Sequence, residues 1–119
     1  MFTTFQHHML VRQEHLNQYG SLFGGCVLSI IDELAFIACS RTYPKRNFVT
    51  RAIRHAEFKE PAQLGDVIEF GFGIESVGTT SLTVRVGMGV HGPVGGPRES
   101  FDGEVVMVCV DEDGKPMAL

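Results

Sequence analysis

The sequence predicts an α+β domain in which an antiparallel sheet wraps one long helix, and three observations carry that expectation. Between Ser21 and about Arg41 apolar residues recur at three- and four-residue intervals, the period of an amphipathic helix. Beyond Pro44 the apolar residues alternate with polar ones as they do in strands. A chain of 119 residues, 44% apolar and 20% charged, suits one domain, 1–119, with one core. Such a domain has no room for a core plus a deep private cavity, so a sizeable pocket is expected to need a second subunit.

Residues 6–13 (QHHMLVRQ) read as a first strand, and Glu14 to Gly20 as a turn. The helix then takes Ser21 as N-cap and ends at Tyr43-Pro44, because the residue before a proline is pushed out of helical geometry. It is apolar on most of its surface and should be largely covered. Residues 48–57 form a half-apolar extended run, followed by a turn from Pro61 to Asp66. From Val67 to Ser76, Ile68, Phe70, Phe72 and Ile74 alternate with Glu69, Gly71, Gly73 and Glu75; after a reversal at 77–80, Leu82, Val84, Val86, Met88 and Val90 alternate with Thr83, Arg85, Gly87 and Gly89. These two runs predict a hairpin. Its four glycines share the face opposite the apolar residues, where they either ease sheet twist and bulges or admit a subunit contact. The glycine- and proline-rich segment 91–97 reads as a loop, and Val105 to Val110, apolar on both faces, as a central strand. Residues 111–116 close the domain with turn chemistry.

A formal charge of −4 argues against generic nucleic-acid binding, which wants a basic footprint. Three widely spaced cysteines, Cys26, Cys39 and Cys109, form no metal-like cluster and read as buried thiols of a reducing compartment. The first twenty residues lack a basic start and a long apolar run, and no segment approaches the ~20 apolar residues of a membrane span, so a soluble cytoplasmic protein is expected. The histidines show no zinc-ligand spacing, and no serine sits in a G-x-S-x-G turn.

Chemistry concentrates between Asn17 and Arg41. An amide side chain precedes a glycine turn, two glycines open the helix, and a carboxylate follows seven residues after the second glycine. Without Cβ atoms, Gly24 and Gly25 let the unpaired N–H groups of the first turn approach a ligand, and the positive helix end favours an oxygen that becomes negative. Close packing of helix on sheet would explain the same glycines. Asp32 falls on the helix side of Gly25, Leu28 and Cys39, whereas Glu33 shares a polar arc with Ser29 and Ser40. A carboxylate on a partly apolar face is desolvated, and so has either a partner in the sheet or a chemical task as base or nucleophile. Asp32 lies ~10 Å along the axis from Gly25 at about 1.5 Å per residue, too far for one helix to serve one small carbonyl with both groups. A two-fold dimer with antiparallel helices would bring the glycine end of one subunit to the aspartate of the other.

The pattern N-x-x-G-x-x-F-G-G-x6-D, at Asn17, Gly20, Phe23, Gly24, Gly25 and Asp32, resembles the hotdog-fold acyl-CoA thioesterases, and within them the YciA-like acyl-CoA hydrolase group. Ala35, Phe36, Ala38 and Cys39 after the aspartate, Arg54, Glu57 and Phe58 leading through Pro61 to Gly65-Asp66, and the ending Val110 to Pro116 extend the similarity from about His15 to Pro116. The resemblance implies a five-stranded antiparallel sheet around one central helix, a homodimer as minimal unit, and tetramers or hexamers beyond it. It implies hydrolysis of acyl-CoA to a free acid and coenzyme A, with no metal and no cofactor apart from the coenzyme A of substrate and product. Asp32 would be the catalytic carboxylate, Asn17 would orient water or the carbonyl, and the Gly24 and Gly25 amides would polarise that carbonyl. For Asn17 an Asx-turn is the plainer role. Phe23, Arg54 and Lys59 are expected at the substrate. The last two belong to a strip with Arg41, Lys45, Arg46 and Arg51, which is either a solvated face or a grip on phosphates. A non-catalytic acyl-CoA-binding or sensing protein is the alternative.

Overall fold

The structure, a computed structural model, describes residues 4–92 and 96–119. Its elements run β1 (Phe5–Leu10), a short 3-10 turn (Gln13–His15), α1 (Gly24–Thr42), β2 (Asn47–Phe58), β3 (Val67–Val77), β4 (Ser81–His91) and β5 (Arg98–Val110). All five strands form one antiparallel sheet in the order β1-β3-β4-β5-β2. β2 therefore crosses from the end of the helix to the far edge, beside β5.

The hairpin forms where alternation predicts it. Val67 to Ile74 pair with His91 to Val84 without interruption, which puts Ile68, Phe70, Phe72, Val84, Val86 and Met88 on one face. That face closes on Val27, Ile31, Leu34, Ala35, Ala38 and Cys39 of α1 to make the core. On the opposite face Gly71 stands across from Gly87, and Pro97 packs over Gly89, 3.1 Å from where a Cβ would be. The close contact at Gly89 thus comes from the chain's own β5 approach. The predicted loop at 91–97 lies partly outside the described residues. As a central strand, β5 buries every residue from Val105 to Val110.

Three boundaries differ from expectation. The first strand ends at Leu10, short of Gln13, which opens the 3-10 turn. The helix starts at Gly24, with Phe23 as N-cap, and not with Ser21 in that role. Ser21 and Leu22 are instead held in extended pairing: Ser21 bridges Gln63, and the Leu22 N–H donates to the Ala62 carbonyl at 2.8 Å. β5 begins at Arg98, well before the apolar run, because its first half pairs through polar residues such as Glu99, Asp102 and Glu104. Among the described residues no helix is long and apolar enough to cross a membrane.

Candidate active site

The segment before α1 is a tight loop braced by Asn17. Its Oδ1 accepts the N–H groups of Tyr19 (2.8 Å) and Ser21 (3.1 Å), and its own N–H donates to the Ser21 carbonyl at 2.7 Å. This is the Asx-turn expected of a lone asparagine. Gly20 sits at φ +82°, backbone that a glycine adopts without strain. The turn fixes the carboxamide and leaves the Nδ2 group without a hydrogen bond among the described residues. Phe23 is then tied to His15 through its N–H at 2.8 Å, and the helix begins. The first intrahelical bonds come from Cys26 and Val27, both to the Phe23 carbonyl. The N–H groups of Gly24 and Gly25 have no partner among the described residues, no side chain caps this end, and no acid stands in the first turn. Two donors and the positive end of the helix dipole remain for a ligand. Asn17 and Gly24 line a hollow of about 450 Å³ with Leu22, Val27, Phe58 and Met88.

Asp32 sits two turns further on, half-buried, while Glu33 is exposed as its polar arc predicts. Its partner is a hydroxyl of the sheet: Thr50 on β2 donates to Asp32 Oδ1. The same hydroxyl lies 3.5 Å from Met107 Sδ. Asp32 and Thr50 open into a recess of about 430 Å³ lined also by Phe36, Phe48 and Val49. The glycine end and the carboxylate therefore occupy different hollows of one protomer, as their separation along the helix requires.

Thr50 was not legible in the sequence, because its partner lies eighteen residues away on the helix; it shares the helix side with Phe48 by plain alternation, and a bulge begins only after it. Thr50 pairs with Met107 and Ile53 with Val105, both on the helix side of β5, although they stand three positions apart on β2. The extra residue at Arg51 makes this possible. A strict two-residue period would turn one of the pair outward.

The remaining expected residues divide. Lys59 lines the glycine-end hollow, and its ammonium donates to Glu99 at 2.9 Å, a bond that holds its pKa above the ordinary lysine value. Arg54 lies on the other face of the sheet, paired with Glu104 at 3.2 Å. Phe23 is half exposed, and its ring lies over Gly25, 2.6 Å from where a Cβ would be. The structure thus groups Asn17, Gly24 and Lys59 in one hollow and puts Asp32 with Thr50 in another. Phe23 covers the helix tip and Arg54 stands apart. Cys39 and Cys109 are buried free thiols and Cys26 is half-buried; burial pushes Cys39 up to about 12, which keeps it protonated. Among the described residues no group of three or more His, Cys, Asp or Glu side chains is placed to hold a metal ion.

Comparison with known proteins decides the family, because the profile of the thioesterase superfamily matches residues 19–88, which include the glycine end, Asp32, Thr50 and most of the hairpin. The chain belongs to the thioesterase superfamily. It is similar to the uncharacterized acyl-CoA thioester hydrolase YkhA of Bacillus subtilis, 30% identical over 104 residues that cover 87% of this chain and 60% of that protein. The acyl-CoA thioester hydrolase YciA of Salmonella typhimurium is 27% identical over 107 residues, covering 87% of this chain and 80% of that one. Among solved structures, a hexameric acyl-CoA thioesterase in its apo form superposes with a TM-score of 0.88 and 31% identity over 96% of this chain and 73% of that chain. The thioesterase fold expected from the motif, a five-stranded antiparallel sheet around one helix, is the hotdog fold seen here. The chain spans 60% of the Bacillus relative's length, so it matches part of that protein.

Proposed function

We propose that this thioesterase-superfamily chain is an acyl-CoA thioester hydrolase that works as a two-fold dimer, with the Asp32 recess of one protomer facing the glycine end of the other. The observation that carries the reading is the division of labour along α1: two unpaired N–H donors at its tip, and a hydrogen-bonded carboxylate two turns away in a separate hollow. Neither half suffices alone. Donors without a base polarise a carbonyl but leave water inert, and a base without donors leaves the developing oxyanion unstabilised.

In this reading the thioester carbonyl oxygen lies against the Gly24 and Gly25 amides, and the Asn17 Nδ2 group orients the water or the carbonyl. Thr50 holds Oδ1 of the opposing Asp32, and Asp32 takes a proton from water as the oxygen adds to the carbonyl carbon. Collapse of the tetrahedral adduct breaks the C–S bond, and the departing thiolate of coenzyme A takes the proton from Asp32, which restores the carboxylate. Lys59 at the rim of the hollow is a cation within reach of the anionic carrier. The names and structures of the relatives support coenzyme A as that carrier, and hexameric relatives support assembly beyond the dimer.

The test is release of free thiol from a panel of acyl-CoA and acyl carrier protein thioesters. Asp32→Ala should lower turnover by about 10²–10⁴-fold with the melting temperature preserved. Complementation then examines the shared site. Asp32→Ala and Asn17→Ala protomers, each inactive, should recover about a quarter of parental activity when mixed and reassembled, because half the dimers are mixed and each has one intact site. A mixture as inactive as its components overturns the shared site, and parental turnover by Asp32→Ala removes that residue from the mechanism.

A further inference from the structure

The glycine-end hollow has one wall that the chemistry above does not use. Phe58, the last residue of β2, is 51% exposed, yet its ring is fixed edge-on against the buried Phe101 with centroids 5.0 Å apart. On its other side it meets the start of the helix, where a Cβ added at Gly24 would lie 3.6 Å from the ring. The ring therefore stands beside the first of the two unpaired donors, and Leu22, Val27, Ala62 and Met88 give the same hollow an apolar surface beside the polar Ser21, Glu60 and Ser100. A carbonyl held at the helix tip would send its hydrocarbon chain along this surface.

The backbone is distorted to put the ring there. Arg54 pairs with Glu104 and Glu57 with Asp102, so His55 and Ala56 together oppose the single residue Gly103. Arg54 faces away from the helix, and in an unbroken strand Phe58, four residues on, would share that outer face. The extra residue reverses it, and Phe58 stands opposite Phe101 on the helix side. The bulge requires a non-glycine residue, His55, at φ +54°. Gly103, the residue opposite the bulge, has no room for a side chain, because a Cβ there would lie 2.9 Å from the ring of Phe101 that braces Phe58. Strain at one residue and a missing side chain at another both serve to aim this ring into the hollow.

We propose that Phe58 determines the length of acyl chain this hollow accepts. The inference rests on the thioester reading of the site and adds its selectivity. The ring is a flat, braced stop. Removing it extends the apolar surface available to the chain, and each methylene that gains cover is favoured about four-fold.

The experiment compares kcat/KM across saturated acyl-CoA substrates from acetyl to palmitoyl for the parent, Phe58→Leu and Phe58→Ala. The expected result is a rise of about ten-fold or more in the ratio of long-chain to short-chain kcat/KM for Phe58→Ala, with Phe58→Leu between it and the parent. The ratio is taken within each variant, so a lower yield of folded protein cancels, and Phe58→Leu carries the test if Phe58→Ala does not fold. Parental ratios in a parent enzyme whose turnover depends on Asp32 overturn the role of Phe58 alone. A parent that releases no thiol from any acyl-CoA, or that is indifferent to Asp32→Ala, overturns the thioester reading and this inference with it.

Discussion

β2 and the β3–β4 hairpin use similar residues to opposite ends. The hairpin is unbroken from Val67 to Ile74 and their partners, and its inward side chains from Ile68 to Phe72 and from Leu82 to Val90 are buried against the helix. β2 is an edge strand with two bulges in twelve residues, and Val49, Ile53 and Phe58 remain exposed on it. The hairpin gains stability from regularity. β2 presents Thr50 to Asp32 while still in register and gives up regularity further on to turn Phe58 toward Gly24, so a largely exposed edge strand carries two of the side chains that face the site.

The largest effect should come from the regular side of this contrast. Phe70 is fully buried at the centre of the hairpin, and Phe70→Ala should destabilise the fold by about 3–5 kcal/mol, read by urea denaturation. The surviving folded fraction should keep its Asp32-dependent turnover. A loss below about 1 kcal/mol would show that the hairpin is not the principal support of the core.

On the bulged side the effect shifts from stability to rate. Thr50→Val keeps the shape of the side chain but removes the hydrogen bond to Asp32, a bond to a charged group of the kind worth about 1.5–3 kcal/mol. Turnover should fall about ten-fold or more with little change in melting temperature, and Thr50→Ser should restore most of it. A Thr50→Val enzyme with parental turnover would mean that Asp32 is held by something other than this hydroxyl. A loss in Thr50→Ser with parental turnover in Thr50→Val would assign the role to the methyl group and not to the hydroxyl.

The same contrast explains what the sequence discloses. The hairpin is legible because its period of two is unbroken, and Asp32 because helical spacing puts it on a half-apolar arc while Glu33 falls among serines. Thr50 is not legible, since its link to Asp32 spans eighteen residues and forms only when β2 packs beside the helix. Phe58 belongs to a recognisable motif, but its inward direction follows from the second bulge. The helix start is displaced because Ser21, a good N-cap by type, is engaged by Gln63 through a contact formed only when the chain folds back. Arg54 and Lys59 look equivalent as neighbours in a basic strip. Arg54 stays on the outer face within β2, whereas Lys59 lies just past the end of the strand and reaches the hollow.

The smallest effect bears on the bulge itself. A left-handed backbone costs a residue with a Cβ about 1–2 kcal/mol, and glycine is exempt but loses about 0.5–1 kcal/mol more in backbone entropy on folding. His55→Gly should therefore stabilise the fold by about 0.5–1 kcal/mol, a rise of a few degrees in melting temperature. Glycine at Val84, a fully buried position of the regular hairpin, should do the reverse and more strongly, because there it removes a packed side chain and relieves nothing. If the bulge exists to direct Phe58, then His55→Gly should leave the acyl-chain profile as it is, whereas deletion of Ala56 should turn the ring outward and lengthen the accepted chain. Destabilisation by His55→Gly would mean that the imidazole makes contacts outweighing the strain, and the bulge would then be held by that side chain and not imposed on it.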